Sequence, residues 1–415
     1  MKLFNHVMVT IFLGVTVVLA AACGNTAPTA ETTAAEPTET QEADAVEETA
    51  DLDALKSAAV ETYAAIVFAT YEDAYNLAVD LQDKIDAFVA DPTAETMQAA
   101  KEAWLAAREP YGQTEAFRFY GGPIDDEDGP EGLINAWPLD EVYIDYVDGE
   151  DNSGIINDTE TYPTIDKELL ISLNEVGAEE NISTGFHAIE FLLWGQDLSS
   201  DGAGNRPYTD YVADGTAPNP DRRALYLQTA AELLVEDLAE LKEAWDPAVE
   251  GNYRADFLSQ PPHDALQKIF TGIGVLSKSE LAGERIFTAY DNQDQEDEHS
   301  CFSDNTHRDI ITNAQGIYNV YMGEYTRVDG STVRGTSLAD VIAAVNPDLN
   351  GELVALLDTT LQQVNSIHVP FDQAIVLADE RPQILEVVTV LQDSGDKIAE
   401  VSSDLGLTIN TALPE

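Results

Sequence analysis

NISTGFHAIEFLLWGQD occupies residues 181–197 of this 415-residue chain. Between residues 186 and 194 only His187 and Glu190 are polar, so no face of a helix here would suit water. This pattern predicts a helix that is buried on every side. The two polar residues are three positions apart, which places both side chains on one helical face.

Glu190 needs a partner, because an unpaired carboxylate in apolar surroundings is strongly destabilising unless it takes up a proton. A metal ion is one such partner and a buried arginine is another. In either case the remainder of the chain is expected to be a scaffold that holds His187 and Glu190 in place.

The charge balance excludes some partners. The chain has 77 Asp and Glu against 20 Lys and Arg, a formal net charge of -57. Nucleic acid is not an expected partner, because phosphate binding needs a basic surface. The acidic excess is typical of a salt-adapted, soluble surface, and it also attracts cations. Hydrophobic residues make up 44% of the chain, which is typical of a globular protein.

The N-terminus resembles a bacterial export signal. Lys2 is followed by an apolar run and then by three alanines before Cys23. Residues 1–23 therefore predict a lipoprotein signal peptide with Cys23 as the lipidated residue. A plain secretory signal is the alternative, because Ala20 stands where such signals usually have leucine.

Residues 24–50 are rich in Thr, Ala, Glu and Pro and contain no basic residue. This composition cannot bury a core, so we predict a disordered acidic linker. Lipidation of Cys23 would leave Cys301 as the remaining thiol, and no intrachain disulfide would then form.

Apolar residues recur at helical spacing from residue 52 to residue 118 and in several later segments up to residue 405, whereas residues 119–164 and 197–220 are irregular in pattern. The sequence Asp91-Pro92-Thr93 predicts the end of one helix and the cap of the next. No credible strand pattern is present. We predict an all-α protein with two helical bundles packed together, at residues 51–250 and 251–415.

His187 and Glu190 alone do not make a transition-metal site, which needs three or four ligands. Helical bundles complete such sites with carboxylates and histidines from other helices. The sequence context favours four residues as contributors: Glu115, Asp140, Asp304 and His307. A hydrogen-bonded structural His–Glu pair is the alternative.

Two further groups of residues are candidates for the site. Arg108 shares a predicted helical face with Glu115, which indicates either a polar seam between helices or a route to Glu190. Residues 299–309 combine a thiol, two imidazoles and two carboxylates at a helix start. Ser303 and Asn305 suit helix capping there, and they are also candidates to support a ligand.

Peptidase motifs are incomplete. The chain has no HExxH, and Phe191 stands where the inverted zinc motif HxxEH requires histidine. No nucleophile elbow or phosphate-binding loop occurs in a convincing context.

The motif GFHAIE at residues 185–190 matches the GxHxxE of the imelysin-like family, also classed as peptidase M75. Three further segments resemble its iron-regulated protein A branch: REPYGQTEAFRFY at 108–120, WPLD at 137–140 and HSCFSDNTH at 299–307. The resemblance implies a helical, two-domain protein on the outer face of a bacterial membrane, linked to iron acquisition. It also implies that His187 and Glu190 are metal ligands.

Three hypotheses follow. The first is a non-enzymatic, lipid-anchored protein that binds iron or another cation such as zinc, free or chelated, and passes it to iron-transport components. Its ligands would be His187, Glu190, Glu115 and Asp304, with Arg108 orienting a carboxylate or holding a chelator. The second is an M75 metallopeptidase that uses the same metal site. The third is a helical surface scaffold without metal.

Overall fold

The computed structural model describes residues 40–199 and 202–413. The predicted signal peptide with Cys23, and residues 24–39 of the predicted linker, lie outside the described residues. The first helix begins at Thr40, within the segment predicted as linker. The described residues from Glu47 onward form one compact unit.

Helices account for nearly all regular structure in the described part of the chain. The longer ones are α1 Thr40–Ala90, α2 Ala94–Thr114, α7 Gly185–Trp194, α8 Pro220–Trp245, α10 Pro262–Val275, α12 Thr306–Met322, α14 Pro347–Val364 and α16 Arg381–Ser403. The shorter ones are α3 Glu131–Ile134, α4 Glu141–Ile144, α5 Gly154–Asn157, α6 Lys167–Leu173, α9 Tyr253–Ser259, α11 Thr288–Asn292, α13 Leu338–Val345 and α15 Phe371–Val376. Three 3₁₀ turns lie at Glu115–Phe117, Tyr208–Tyr211 and Gln295–Asp297.

The all-α prediction is confirmed, with one small addition. Strands β1 (Glu324–Thr326) and β2 (Thr332–Arg334) form an antiparallel hairpin in which Tyr325 pairs with Val333. The predicted boundary between two bundles near residue 250 stays a prediction. No described helix is both long and apolar enough to cross a bilayer.

The predicted break between the first two helices is confirmed. α1 ends at Ala90, and Thr93 caps α2 by accepting a hydrogen bond from the Thr96 backbone NH at 3.2 Å. The Thr96 hydroxyl in turn accepts from the Thr93 NH, which completes a capping box. α2 packs against α7 and α12, so it forms one wall of the region around His187.

A π-helical segment, Leu276–Phe287, joins α10 to α11 without a break. A π-helix is rare, and it is frequent at functional sites because its wider turn redirects side chains. Here the segment carries Arg285, which is buried and reaches Glu115 on the far side of the core.

The crossing of α2 and α12 depends on a glycine. A Cβ on Gly316 would lie 2.4 Å from the Gln113 carbonyl oxygen, so the two backbones touch where no side chain fits. Gly351 in α14 is also helical, but nothing lies within 4 Å of a Cβ built there.

We expect Gly316→Ala to lower the free energy of unfolding by about 1–3 kcal/mol, because the added methyl forces α2 and α12 apart. Gly351→Ala is the matched control and should be neutral or stabilising by up to about 1 kcal/mol, since alanine favours helix. Urea unfolding of both variants measures the difference. Equal stability of the two variants would contradict this close packing.

Candidate metal-binding site

α7 begins at a glycine that no other residue could replace without strain. Gly185 has a φ of +81°, and a Cβ there would lie 2.4 Å from the Ile134 carbonyl oxygen at the end of α3. This close approach fixes the start of α7 against α3. His187 and Glu190 follow within the next two turns of α7, and the exposed fractions of these residues are 1% and 0%.

His187 and Glu190 bind each other. The His187 Nδ1 lies 2.9 Å from the Glu190 Oε2. The other carboxyl oxygen of Glu190 accepts hydrogen bonds from the backbone NH of Ser303 at 2.9 Å and from its hydroxyl at 2.6 Å. The structure therefore brings Ser303, which the sequence singled out for helix capping or ligand support, to Glu190. The Nε2 of His187 is buried and has no hydrogen-bond partner.

Burial sets the protonation of this pair. It raises the pKa of Glu190 to about 8, although the hydrogen bonds from Ser303 oppose the shift. It lowers the pKa of His187 to about 3, and the positive charge of Arg108 adds to that effect. Both groups are therefore mostly uncharged near neutral pH.

A second histidine lies beside the first. The rings of His187 and His299 are 4.7 Å apart between centroids and nearly perpendicular. The Nδ1 of His299 donates to Asp309 at 2.8 Å, which leaves its Nε2 with only a 3.5 Å contact to the Asn135 amide. Burial and the charge of Arg285 lower the pKa of His299 to about 3, so this ring is also neutral.

Asp309 on α12 is held ionised by its neighbours. Arg108 donates to the Asp309 Oδ1 through Nη2 at 2.9 Å and through Nε at 3.2 Å. Burial alone would raise the pKa of Asp309, but Arg108 and His299 hold it well below its usual range. Arg108 also donates to the side-chain oxygen of Asn135 at 2.5 Å. The predicted role of Arg108 in orienting a carboxylate thus concerns Asp309.

Glu115 lies in the same polar core but binds arginines. Its Oε2 accepts from Arg118 at 2.7 Å and from Arg285 at 2.8 Å, and its Oε1 accepts from Asn135 at 3.1 Å. Burial favours the protonated form, yet the two guanidinium groups lower the pKa of Glu115 to about 2. Asn135 connects this cluster to Arg108 and His299.

A cleft of about 380 Å³ opens onto His299. His299, Asn135 and Trp137 form part of its wall, and Trp137 packs edge-on against the imidazole at 5.6 Å between centroids. The remaining charged residues of the wall are Arg118, Arg285, Glu131, Glu175, Glu179, Glu280 and Glu284. The cleft is thus acidic, with a neutral imidazole in its wall.

Asp304 lies near Glu190, and no described hydrogen bond joins it to His187. It has a left-handed backbone with φ of +56°. Burial, together with the charges of Asp197, Asp372 and Glu190, raises the pKa of Asp304 to about 7. The crowding of carboxylates on this side of Glu190 is a local feature that the sequence did not reveal.

The other predicted residues have local roles. Asp140 caps α4 by accepting from the Val142 NH at 3.2 Å. Asn305 occupies the N-cap position of α12, but its side chain makes no capping bond and its Nδ2 is buried without a partner. His307 contacts the Asp304 carbonyl oxygen at 3.1 Å, and burial lowers its pKa.

Among the described residues, no three His, Cys, Asp or Glu side chains are grouped so that they could hold a metal ion. The predicted set of His187, Glu190, Glu115 and Asp304 is therefore not a preformed metal centre. Sequence reasoning noted residues 299–309 as a cluster but did not select His299, Asp309, Asn135 or Arg285. The serine and asparagine residues before α12 suggested helix capping. Only tertiary contacts show that His299, Asp309, Asn135 and Arg285 are connected.

The model of the imelysin family, peptidase M75, matches residues 67–398. Iron-regulated protein A of Synechococcus elongatus is 25% identical over 341 residues, covering 80% of this chain and 82% of that protein.

Two solved structures share the fold. A putative iron-regulated protein A precursor from Parabacteroides distasonis has a TM-score of 0.67 at 20% identity, covering 85% of this chain and 95% of that one. An imelysin-like protein from Psychrobacter arcticus has a TM-score of 0.59 at 14% identity, covering 85% and 98%. Since the family match extends from α1 into α16 and includes the glycine, histidine and glutamate of α7, this chain belongs to the imelysin family.

Proposed function

We propose that the protein binds a metal cation, iron in the first place, beside His187 and His299. The observation that carries this proposal is the pair of neutral, buried imidazoles whose centroids lie 4.7 Å apart. Each ring is held at Nδ1 by a carboxyl group, and the Nε2 of His187 has no partner. Metal-binding histidines are commonly oriented in this way.

In this proposal Glu190 and Asp309 act through the imidazoles. Asp309 as it stands, and Glu190 once it has lost its proton, accept from the Nδ1 of the neighbouring ring. A carboxylate in this position fixes the tautomer with a lone pair on Nε2, and it makes that nitrogen a better donor to metal. This differs from the sequence-based hypothesis, in which Glu190 itself was a ligand. A metal ion bound there would bring Lewis acidity and positive charge to the cleft.

Two imidazoles do not fill a coordination shell. Since the described residues offer no group of three ligands, a metal that arrives with its own chelating ligands suits this site better than a bare ion. The cleft of about 380 Å³ beside His299 has room for such a complex. Its glutamates and the net charge of -57 favour complexes that carry positive charge.

The name of a relative favours iron. The matching protein of Synechococcus elongatus is called iron-regulated, and it shares 25% identity with this chain. We further infer that the protein is exported, is anchored to the membrane through a lipid on Cys23, and passes its cargo to an iron-transport component. The sequence of residues 1–23 supports this location.

Metal analysis tests the proposal. The purified protein is incubated with ferrous iron, with a positively charged ferrous chelate such as the mono-bipyridine complex, or with zinc, then desalted and analysed for bound metal. We expect retention by the parent protein and loss of most metal in His187→Ala and in His299→Ala. The control is His263→Ala, because His263 is exposed and lies in another part of the fold, at the start of α10.

Retention by both site variants, or no retention by the parent, would overturn the proposal. Circular dichroism of each variant separates loss of binding from loss of folding. The same variants decide against the runner-up: cleavage of unfolded peptides by the parent that disappears in His187→Ala would favour a metallopeptidase.

Binding at the His187 Nε2 should release the proton of Glu190. With Glu190 protonated, its hydroxyl donates to Nδ1 and the ring carries its hydrogen on Nε2, where a metal would bind. Loss of that proton reverses the tautomer. Metal binding is therefore expected to strengthen as pH rises toward about 8, the pKa of Glu190.

Glu190→Gln tests that protonation state in metal-free protein. The folded pKa of Glu190, about 8, lies above its ordinary value of 4.5. The stability it contributes is thus present below the unfolded pKa and is lost as pH rises through the folded one. Glutamine keeps an oxygen for Ser303 and an NH for His187.

We therefore expect the stability of Glu190→Gln relative to the parent to increase from about pH 5 to about pH 8 and then level off. Denaturant unfolding across this range provides the measurement. A constant difference would mean instead that Glu190 is already ionised at pH 5 in the folded protein.

A further inference from the structure

A small pocket on the other side of α2 has cationic walls. It measures about 210 Å³ and lies between α2 and the loop that follows α7. α2 contributes Ala94, Met97, Gln98 and Lys101, and the loop contributes Asn205, Arg206, Pro207 and Tyr208. No acidic side chain lines it, although the chain has 77 acidic residues.

Lys101 has no ion pair in the described part of the chain. Its ammonium lies 5.1 Å from the centre of the Trp194 ring, a cation–π contact. Burial and the nearby charge of Arg206 lower the pKa of Lys101 to about 8. Lys101 and Arg206 therefore both line the pocket, and the carboxylates that pair with Arg206, those of Asp145 and Asp210, are not part of its wall.

Arg206 supplies a second observation. It is only 5% exposed, and its Nη1 donates to Asp145 at 2.6 Å. Its Nε–H, however, is buried and has no partner. A buried donor without a partner is destabilising by about 1–3 kcal/mol. A ligand oxygen would relieve it.

We propose that this pocket binds a small anion that carries a carboxylate or phosphate group. The anion would lie between the Lys101 ammonium and the Arg206 guanidinium, and the apolar surface of Met97 and Pro207 would contact the rest of the molecule. An ammonium and a guanidinium N–H form charge-assisted hydrogen bonds to anionic oxygens. The pocket is distinct from the cleft at His299, with which it shares no lining residue.

Calorimetric titration of the folded chain with inorganic phosphate and, separately, with succinate tests the proposal. The titrations need about 0.15 M salt, because the Debye length of about 8 Å then screens the distant acidic surface. We expect saturable binding of at least one probe, and weakening by roughly ten- to a hundredfold in Lys101→Met. Phosphate alone would identify a phosphate ligand, and succinate alone a carboxylate.

The matched control is Lys242→Met. Lys242 also stacks on an aromatic ring, that of Tyr75 at 4.1 Å, and its loss changes the net charge equally. Its variant should bind the probes like the parent. Absence of binding up to about 10 mM, or an equal loss in both variants, would overturn the proposal.

Amine labelling gives an independent measurement on the unmodified chain. Peptide mapping after reaction with an amine reagent reports how fast each lysine is modified. The bound probe should slow the modification of Lys101 and leave that of Lys242 unchanged. Equal rates with and without the probe would contradict the proposed site.

Discussion

The buried ion pair between Arg108 and Asp309 is the interaction on which the polar core of this protein depends. It joins α2 to α12 at 2.9 Å in an interior that holds almost no water-accessible surface. Removing one partner of such a pair leaves a charge that the interior cannot solvate, which is typically destabilising by about 3–5 kcal/mol. Because Asp309 stays ionised, His299 keeps one orientation and one tautomer.

The carboxyl groups around that pair differ in their charge. Glu115 and Asp309 are ionised because arginines surround them, whereas Glu190 has only serine donors and a neutral imidazole and so retains its proton. Carboxyl groups of similar burial thus have opposite charge states. A cation can bind on the side of the core nearest α7, whereas the side nearest α2 already contains positively charged arginine.

Local signals in the sequence were sufficient for the longer helices and for one half of the site, but not for the short helices between residues 119 and 164. The Asp91-Pro-Thr93 break, the buried α7 and the His187–Glu190 pair follow from spacing and burial alone. The other half comes from residues more than a hundred positions away. Arg285 and His299 meet Glu115 and His187 only through tertiary packing, which no periodicity encodes. Arg108 pairs with a carboxylate, as expected, but that carboxylate belongs to Asp309 on α12 and not to Glu190 on α7.

The π-helical segment Leu276–Phe287 has an evolutionary consequence. Successive residues of an α-helix turn by about 100°, so deleting a single residue there would rotate Arg285 away from Glu115 even if every side chain were kept. The position of Arg285 therefore depends on the length of this segment as well as on its composition. Lineages that lose one residue in it are expected to have lost the arginine–glutamate contact as well.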